Sequence, residues 1–185
     1  MKKRMYILCL MLSLICSATE GFAQRGKTEI ALGYGYWSLY NLANGQPYKN
    51  SSGTTALVIR HYFSKDVTLG LGIASENIKD YGSFTTFSPE LTVNYMDTKD
   101  SRIRVRLYGS ISYGVAYFHD NNIGVGYADN SGLKAVGFNG SPFGLRIGRQ
   151  FAFFTEIGVG YKGLFHTGLE IRVPRVLAKN RHHED

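Results

Sequence analysis

Residues 158–163 read Gly-Val-Gly-Tyr-Lys-Gly, the G-x-G-x-x-G spacing with which a strand-to-helix turn cradles the phosphates of a dinucleotide. That chemistry needs a helix N-terminus behind the last glycine and an acidic residue about 20 positions on, for a ribose hydroxyl. Only 22 residues follow Gly163, and they open with further alternation, meet Pro174 and contain no amphipathic helical stretch. The spacing is not read as a nucleotide site, so the glycines need another cause.

Other residues capable of chemistry are few. The histidines are His61, His119, His166, His182 and His183. A metal site needs convergent ligands, whereas His182 and His183, with Glu184 and Asp185, read as a solvated tail. A nucleophile with its base must lie within hydrogen-bond reach, and no such pairing of His166 with Ser110 or Ser112 follows from the sequence. Glutamates and arginines recur along the chain and could pass for acid–base pairs, but structural ion networks account for them more simply. No catalytic residue, metal or cofactor is assigned.

The elements that position these residues begin after a leader. Lys2, Lys3 and Arg4 precede an apolar run from Met5 to Ala18, and small residues lead to Ala23. This is the pattern of a secretory signal peptide over 1–23, with a run too short for a helical membrane span. Removing it takes three of the 21 Lys and Arg and one of the 14 Asp and Glu, so the net charge falls from +7 to +5. Export makes nucleic acid an improbable partner for that positive balance. Cys9 and Cys16 both fall in the leader, and Ile15 before Cys16 does not suit lipidation. The remaining chain has no disulfide or thiol with which to stabilise itself.

From residue 24 onward strict alternation dominates. In Thr28–Tyr36, Ile30, Leu32, Tyr34 and Tyr36 oppose Glu29, Ala31, Gly33 and Gly35. The same pattern recurs at 54–63, 67–76, 85–96, 103–118, 135–148, 152–161 and 164–173, which predicts eight strands. Connections 41–53, 77–83 and 119–134 read as long and polar, against short turns at 64–66, 97–101 and 149–151. An even strand count with long loops on one side and short turns on the other predicts an all-β, eight-stranded antiparallel up-and-down barrel spanning a membrane.

Alternation alone does not say which face is inside. A soluble lipocalin-like barrel would turn the apolar face inward around a ligand, whereas a membrane barrel turns it to lipid. The second face decides. It carries Gly, Ala, Ser and Thr, with Glu29, Glu76, Glu90, Glu156 and Glu170 against Arg60, Arg104, Arg106, Arg146 and Arg172. Lys and Asp are confined to strand ends, connections and the tail. Five glutamates and five arginines without lysine suit an enclosed interior, where forked guanidinium pairs form and an unpaired charge is costly. Glycines there leave room for the long side chains. Tyr and Phe gather toward strand ends on the other face, as aromatic belts do at membrane interfaces.

Ser141-Pro-Phe-Gly-Leu-Arg-Ile-Gly148, Phe154-Thr-Glu-Ile-Gly-Val-Gly-Tyr-Lys-Gly163 and Gly168-Leu-Glu-Ile-Arg172 resemble the closing strands of the small porin-like outer-membrane β-barrel family of Gram-negative bacteria. Ser88-Pro-Glu-Leu91 is similar to a stretch of that family as well. The resemblance implies an eight-stranded barrel over 24–173, placed in the outer membrane by its assembly machinery and surrounded by lipid and lipopolysaccharide. Family members usually end on an aromatic residue, but here a polar tail, 174–185, follows Val173.

The sequence thus predicts a monomeric, non-enzymatic barrel with a plugged polar interior, serving envelope structure or surface contact through its outer loops. A narrow solute channel, a soluble ligand-binding barrel and a lipid-modifying enzyme are the alternatives. Export is checked at the N-terminus: sequencing of the protein from the envelope fraction should begin at Gln24, and a start at Met1 would overturn the leader reading.

Overall fold

The computed structural model describes residues 28–39, 51–79, 82–98, 103–120 and 131–173; the leader over 1–23 and the tail over 174–185 lie outside them. Eight strands follow one another: β1 Thr28–Tyr36, β2 Ser51–Tyr62, β3 Val67–Ile78, β4 Gly82–Asp97, β5 Val105–Asp120, β6 Gly132–Gly148, β7 Phe151–Gly160 and β8 Phe165–Val173. Each pairs antiparallel with its neighbour, and β8 returns to β1, so the sheet is a closed barrel in chain order. Closure gives every strand two neighbours, although β6 pairs with β7 only from Asn139 onward. The eight-stranded antiparallel barrel expected from the alternation is therefore the fold.

The pairing fixes the shape. One circuit from Arg106 passes Arg146, Phe154, Gly168, Gly33, Ala56, Ala74 and Thr86, and returns to β5 at Ala116, ten residues along. With a rise of about 3.3 Å per residue and about 4.8 Å between strands, that stagger tilts the strands by roughly 40°. The backbone then lies roughly 8 Å from the axis, which leaves space for side chains and little else.

The small-residue face points inward. On β1 the side chains of Glu29, Ala31, Gly33 and Gly35 face the lumen, and Ile30, Leu32, Tyr34 and Tyr36 face out. Bulges shift this parity in several places, two of them beside the charged residues. On β4 the pairing slips between Asn94 and Met96, so Tyr95 and Met96 both face out and Asp97 turns in. On β6 it slips between Gly140 and Phe143, leaving Pro142 and Phe143 both exposed. Above that bulge Asn139 and Ser141 are the inward residues; below it Gly144 and Arg146 are. Pro142, which has no N–H to give a ladder, sits where one is dispensable. Arg146 reaches the lumen only because of this extra residue.

Two connections differ from expectation. β3 and β4 run on to Ile78 and from Gly82, so their connection is only 79–81, not the long loop over 77–83. At the other end β5 starts at Val105, not 103, because Thr98 caps it: its amide donates to the Val105 carbonyl at 3.0 Å, and Val105 N–H donates to Thr98 Oγ1 at 2.9 Å. The long connections are 37–50 and 121–131, both at the end opposite the chain termini.

Candidate functional site

The lumen toward the chain termini is crossed by one continuous ion network. Arg172 Nε donates to Glu29 Oε1 at 3.0 Å, and Tyr62 Oη donates to the same oxygen at 2.7 Å. Arg106 Nη2 reaches Glu29 Oε2 at 3.0 Å and Glu170 Oε1 at 3.3 Å. Glu170 also meets Arg146 Nε at 2.5 Å and Arg60 Nη1 at 3.3 Å. Arg60 then reaches Glu90 through Nε at 2.6 Å and Glu156 through Nη2 at 3.3 Å. Tyr108 Oη donates to Glu156 at 2.9 Å, and His166 Nδ1 lies 3.1 Å from the other Glu156 oxygen. All of these charged side chains are buried.

The residue types follow from the geometry. Arg60 answers three carboxylates at once through three nitrogens, which a planar fork permits and an ammonium does not. The guanidiniums also stack on aromatic faces: Arg60 lies over Tyr108, Arg172 over Tyr62, and Arg106 over both, at 5.6–6.0 Å from the ring centroids. Such contacts gain strength where the cation is desolvated. Tyr62 and Tyr108 occupy the inward parity of Arg60 and Arg106, so alternation alone could have included them.

Eight of the ten charged residues singled out in the sequence belong to this network: Glu29, Arg60, Glu90, Arg106, Arg146, Glu156, Glu170 and Arg172. The other two stand apart. Arg104 precedes β5 and pairs with Asp97, its Nε donating to Oδ1 at 2.6 Å, at the barrel's terminus-side rim. Glu76 lies toward the opposite mouth and accepts from hydroxyls: Ser38, Ser51 at 2.5 Å and Thr54 at 3.4 Å. It is too far along β3 to interleave with the arginines.

The expectation of an interior without lysine is corrected by Lys162. Residues 161–163, between β7 and β8, fold into the lumen, and the Lys162 ammonium pairs with Glu90. Tyr161, expected in the outer aromatic belt, is likewise buried; its hydroxyl bonds Ser88 and Ser112 on the far wall, at 2.5 and 3.0 Å. Thr54 Oγ1 donates to the Tyr161 carbonyl at 3.0 Å, and the Lys162 amide donates to Asn139 Oδ1 at 3.3 Å. A Cβ on Gly35 would overlap the Lys162 carbonyl, and Gly163 turns the chain back with φ +97°. These two glycines, one on the wall and one in the turn, let the segment in. No local pattern marks this, because the partners of Tyr161 and Lys162 lie 23 to 107 positions away.

His166 leans on Glu156 and packs against Phe154, with ring centroids 5.2 Å apart, but its Nε2 bonds no hydroxyl. Ser112 is engaged by Tyr161. Among the described residues, neither Ser110 nor Ser112 is hydrogen-bonded to His166. Among the described residues, no three His, Cys, Asp or Glu side chains converge as a metal site.

The network makes a ranked prediction. Breaking one buried pair by removing one partner costs about 3–5 kcal/mol. Arg60→Met takes a guanidinium from three carboxylates at once, so it should destabilise the folded barrel more than Lys162→Met, which takes a cation from Glu90 and leaves it with Arg60. Glu156→Gln should destabilise it too, and adding Arg60→Met should give no rescue, since Glu90 and Glu170 still need Arg60. Urea unfolding followed by gel mobility of the detergent-folded protein measures the order, and equal losses from Arg60→Met and Lys162→Met would contradict it.

No protein-family model matches this chain, and no curated protein matches it.

Proposed function

We propose that the protein is an integral outer-membrane β-barrel with a plugged lumen, acting in envelope structure or surface contact through its outer connections. The observation that carries this reading is a belt of exposed apolar side chains. Phe153, Leu169, Leu32, Leu57, Ile73, Phe87, Val115 and Val136 pair one to the next across all eight strands, and every one is exposed. Two residues further along the strands, Tyr34, Thr55, Ser75, Thr85 and Tyr117 form the next outward row, where the surface turns polar and aromatic. Phe63, Tyr95 and Phe151 supply exposed aromatics toward the chain termini.

An apolar surface that winds across all eight strands is far larger than the few hundred Å² a soluble monomer usually exposes. The shortest strands, β1 and β8, have nine residues. At a tilt of roughly 40° they rise roughly 23 Å, close to the apolar band of about 25 Å found on membrane barrels. A soluble ligand-binding barrel would place its apolar face inside; here the inside holds the ions. A narrow channel is disfavoured by the same residues, because the network and the segment 161–163 occupy the lumen. The resemblance of 141–173 to the small porin-like family supports the location, with lipid, lipopolysaccharide and the outer-membrane assembly machinery as partners. Connections 37–50 and 121–131 share the end away from the termini and offer the chain's longest stretches for contact.

Leu71 faces out and is exposed, whereas a Cβ on Gly72 would meet Val58 and Ser88 at ordinary contact distances of 3.5–3.6 Å. Leu71→Arg should therefore block insertion into bilayers, since a midplane cation costs about 2–4 kcal/mol on the lipid face. Gly72→Ser should insert nearly as well as the parent. Equal insertion of both would overturn the membrane reading. In planar bilayers the parent protein should show no steady conductance; large, stable ohmic channels would make it a porin.

A further inference from the structure

On the lumen wall of β3, β4 and β5 the ion network leaves a group of polar atoms that no described residue satisfies. Thr68 Oγ1, Asn94 Oδ1 and Ser110 Oγ are sealed from solvent and have no hydrogen-bond partner. Their residues are at least nine-tenths buried: Thr68 1 %, Asn94 8 % and Ser110 7 % exposed. They lie on three adjacent strands. Thr68 pairs with Thr92, Thr92 pairs with Ser110, and Asn94 is the next inward residue of β4. Arg106 Nε, on the same wall two inward positions from Ser110 along β5, is also unpartnered, although the rest of its guanidinium is engaged.

The chemistry of these atoms specifies an occupant. Asn94 is oriented by its Nδ2, which donates to the Asp66 carbonyl at 3.2 Å, so its Oδ1 is the free atom and can only accept. An occupant must therefore donate there, which excludes an anion. Arg106 Nε–H can only donate, so the occupant must also accept, and a cation would be repelled by the same guanidinium. The two hydroxyls take either role. A small, neutral molecule that both donates and accepts meets all four, and buried polar groups of this kind are regularly bridged by water. We propose that the inner wall of β3, β4 and β5 is a water-binding site, in which bound water links Thr68, Asn94 and Ser110 to Arg106 and so hydrates one flank of the ion network. This assignment is independent of whether lipid or water surrounds the outer face.

The sign of a stability change tests it. A hydroxyl that is buried and bonded to nothing is a liability, and replacing it by an apolar group of similar shape should stabilise the fold; a hydroxyl that holds water loses that bond. The chain folded in detergent micelles should show long-lived water-to-amide cross-peaks at Thr68, Asn94 and Ser110. Thr68→Val and Ser110→Ala should each lower the urea midpoint, and together they should abolish the cross-peaks. An unchanged or raised midpoint, or a parent protein without the cross-peaks, would overturn the site. Ser110→Ala alone decides the sign should Thr68→Val fail to fold.

Discussion

A charge sealed inside a narrow closed barrel must find its opposite within reach of its own side chain, and the rest of this structure depends on that constraint. The stagger of ten residues sets a lumen too small for a shell of bulk solvent, so each inward glutamate or arginine is desolvated. Arg60 resolves the problem for three carboxylates together, and Glu170 for three guanidiniums together. Because each of these two groups has several partners, no single pair describes the network. It acts as a cross-brace from β2 to β8 through the lumen, tying strands that never pair through their backbones.

This brace explains features of the wall that would otherwise look arbitrary. Glycine, alanine and serine line the inner face because the volume there belongs to side chains arriving from elsewhere. Tyr161 packs with Ala56 and Ala74, where anything larger on the wall would exclude the ring. The bulge at Pro142 serves the same end: it changes the parity of β6, so that Arg146 turns inward beneath an outward Phe143. A regular ladder would have sent the guanidinium to the apolar face. The local irregularity is thus a consequence of a global requirement for charge pairing.

Much of this was legible in the sequence because period two is a direct physical signal. Strand number, antiparallel order and the facing of Glu29, Arg60, Glu90, Arg106, Glu156, Glu170 and Arg172 all follow from counting alternate residues. Arg146 was placed on the correct face, but the extra residue that puts it there gives no signal in the pattern beyond a proline within a strand. Glu76 and Arg104 have the correct parity but the wrong height, since alternation reports which way a side chain points and not how far along the axis it lies. Height depends on the stagger, and the stagger emerges only when eight strands close on one another.

The glycine spacing of residues 158–163 belongs to the same class of non-local information. On a helix-forming background it would cradle phosphate; on an alternating background it ends a strand and turns the chain inward. Gly158 and Gly160 face neighbouring β6 residues closely, and Gly163 supplies the positive φ that reverses direction. Between them Tyr161 and Lys162 become part of the filling instead of part of the rim. The sense of such a motif is therefore set by the periodicity on either side of it. Here the lysine inside the motif reaches Glu90, an anion that the barrel itself supplies.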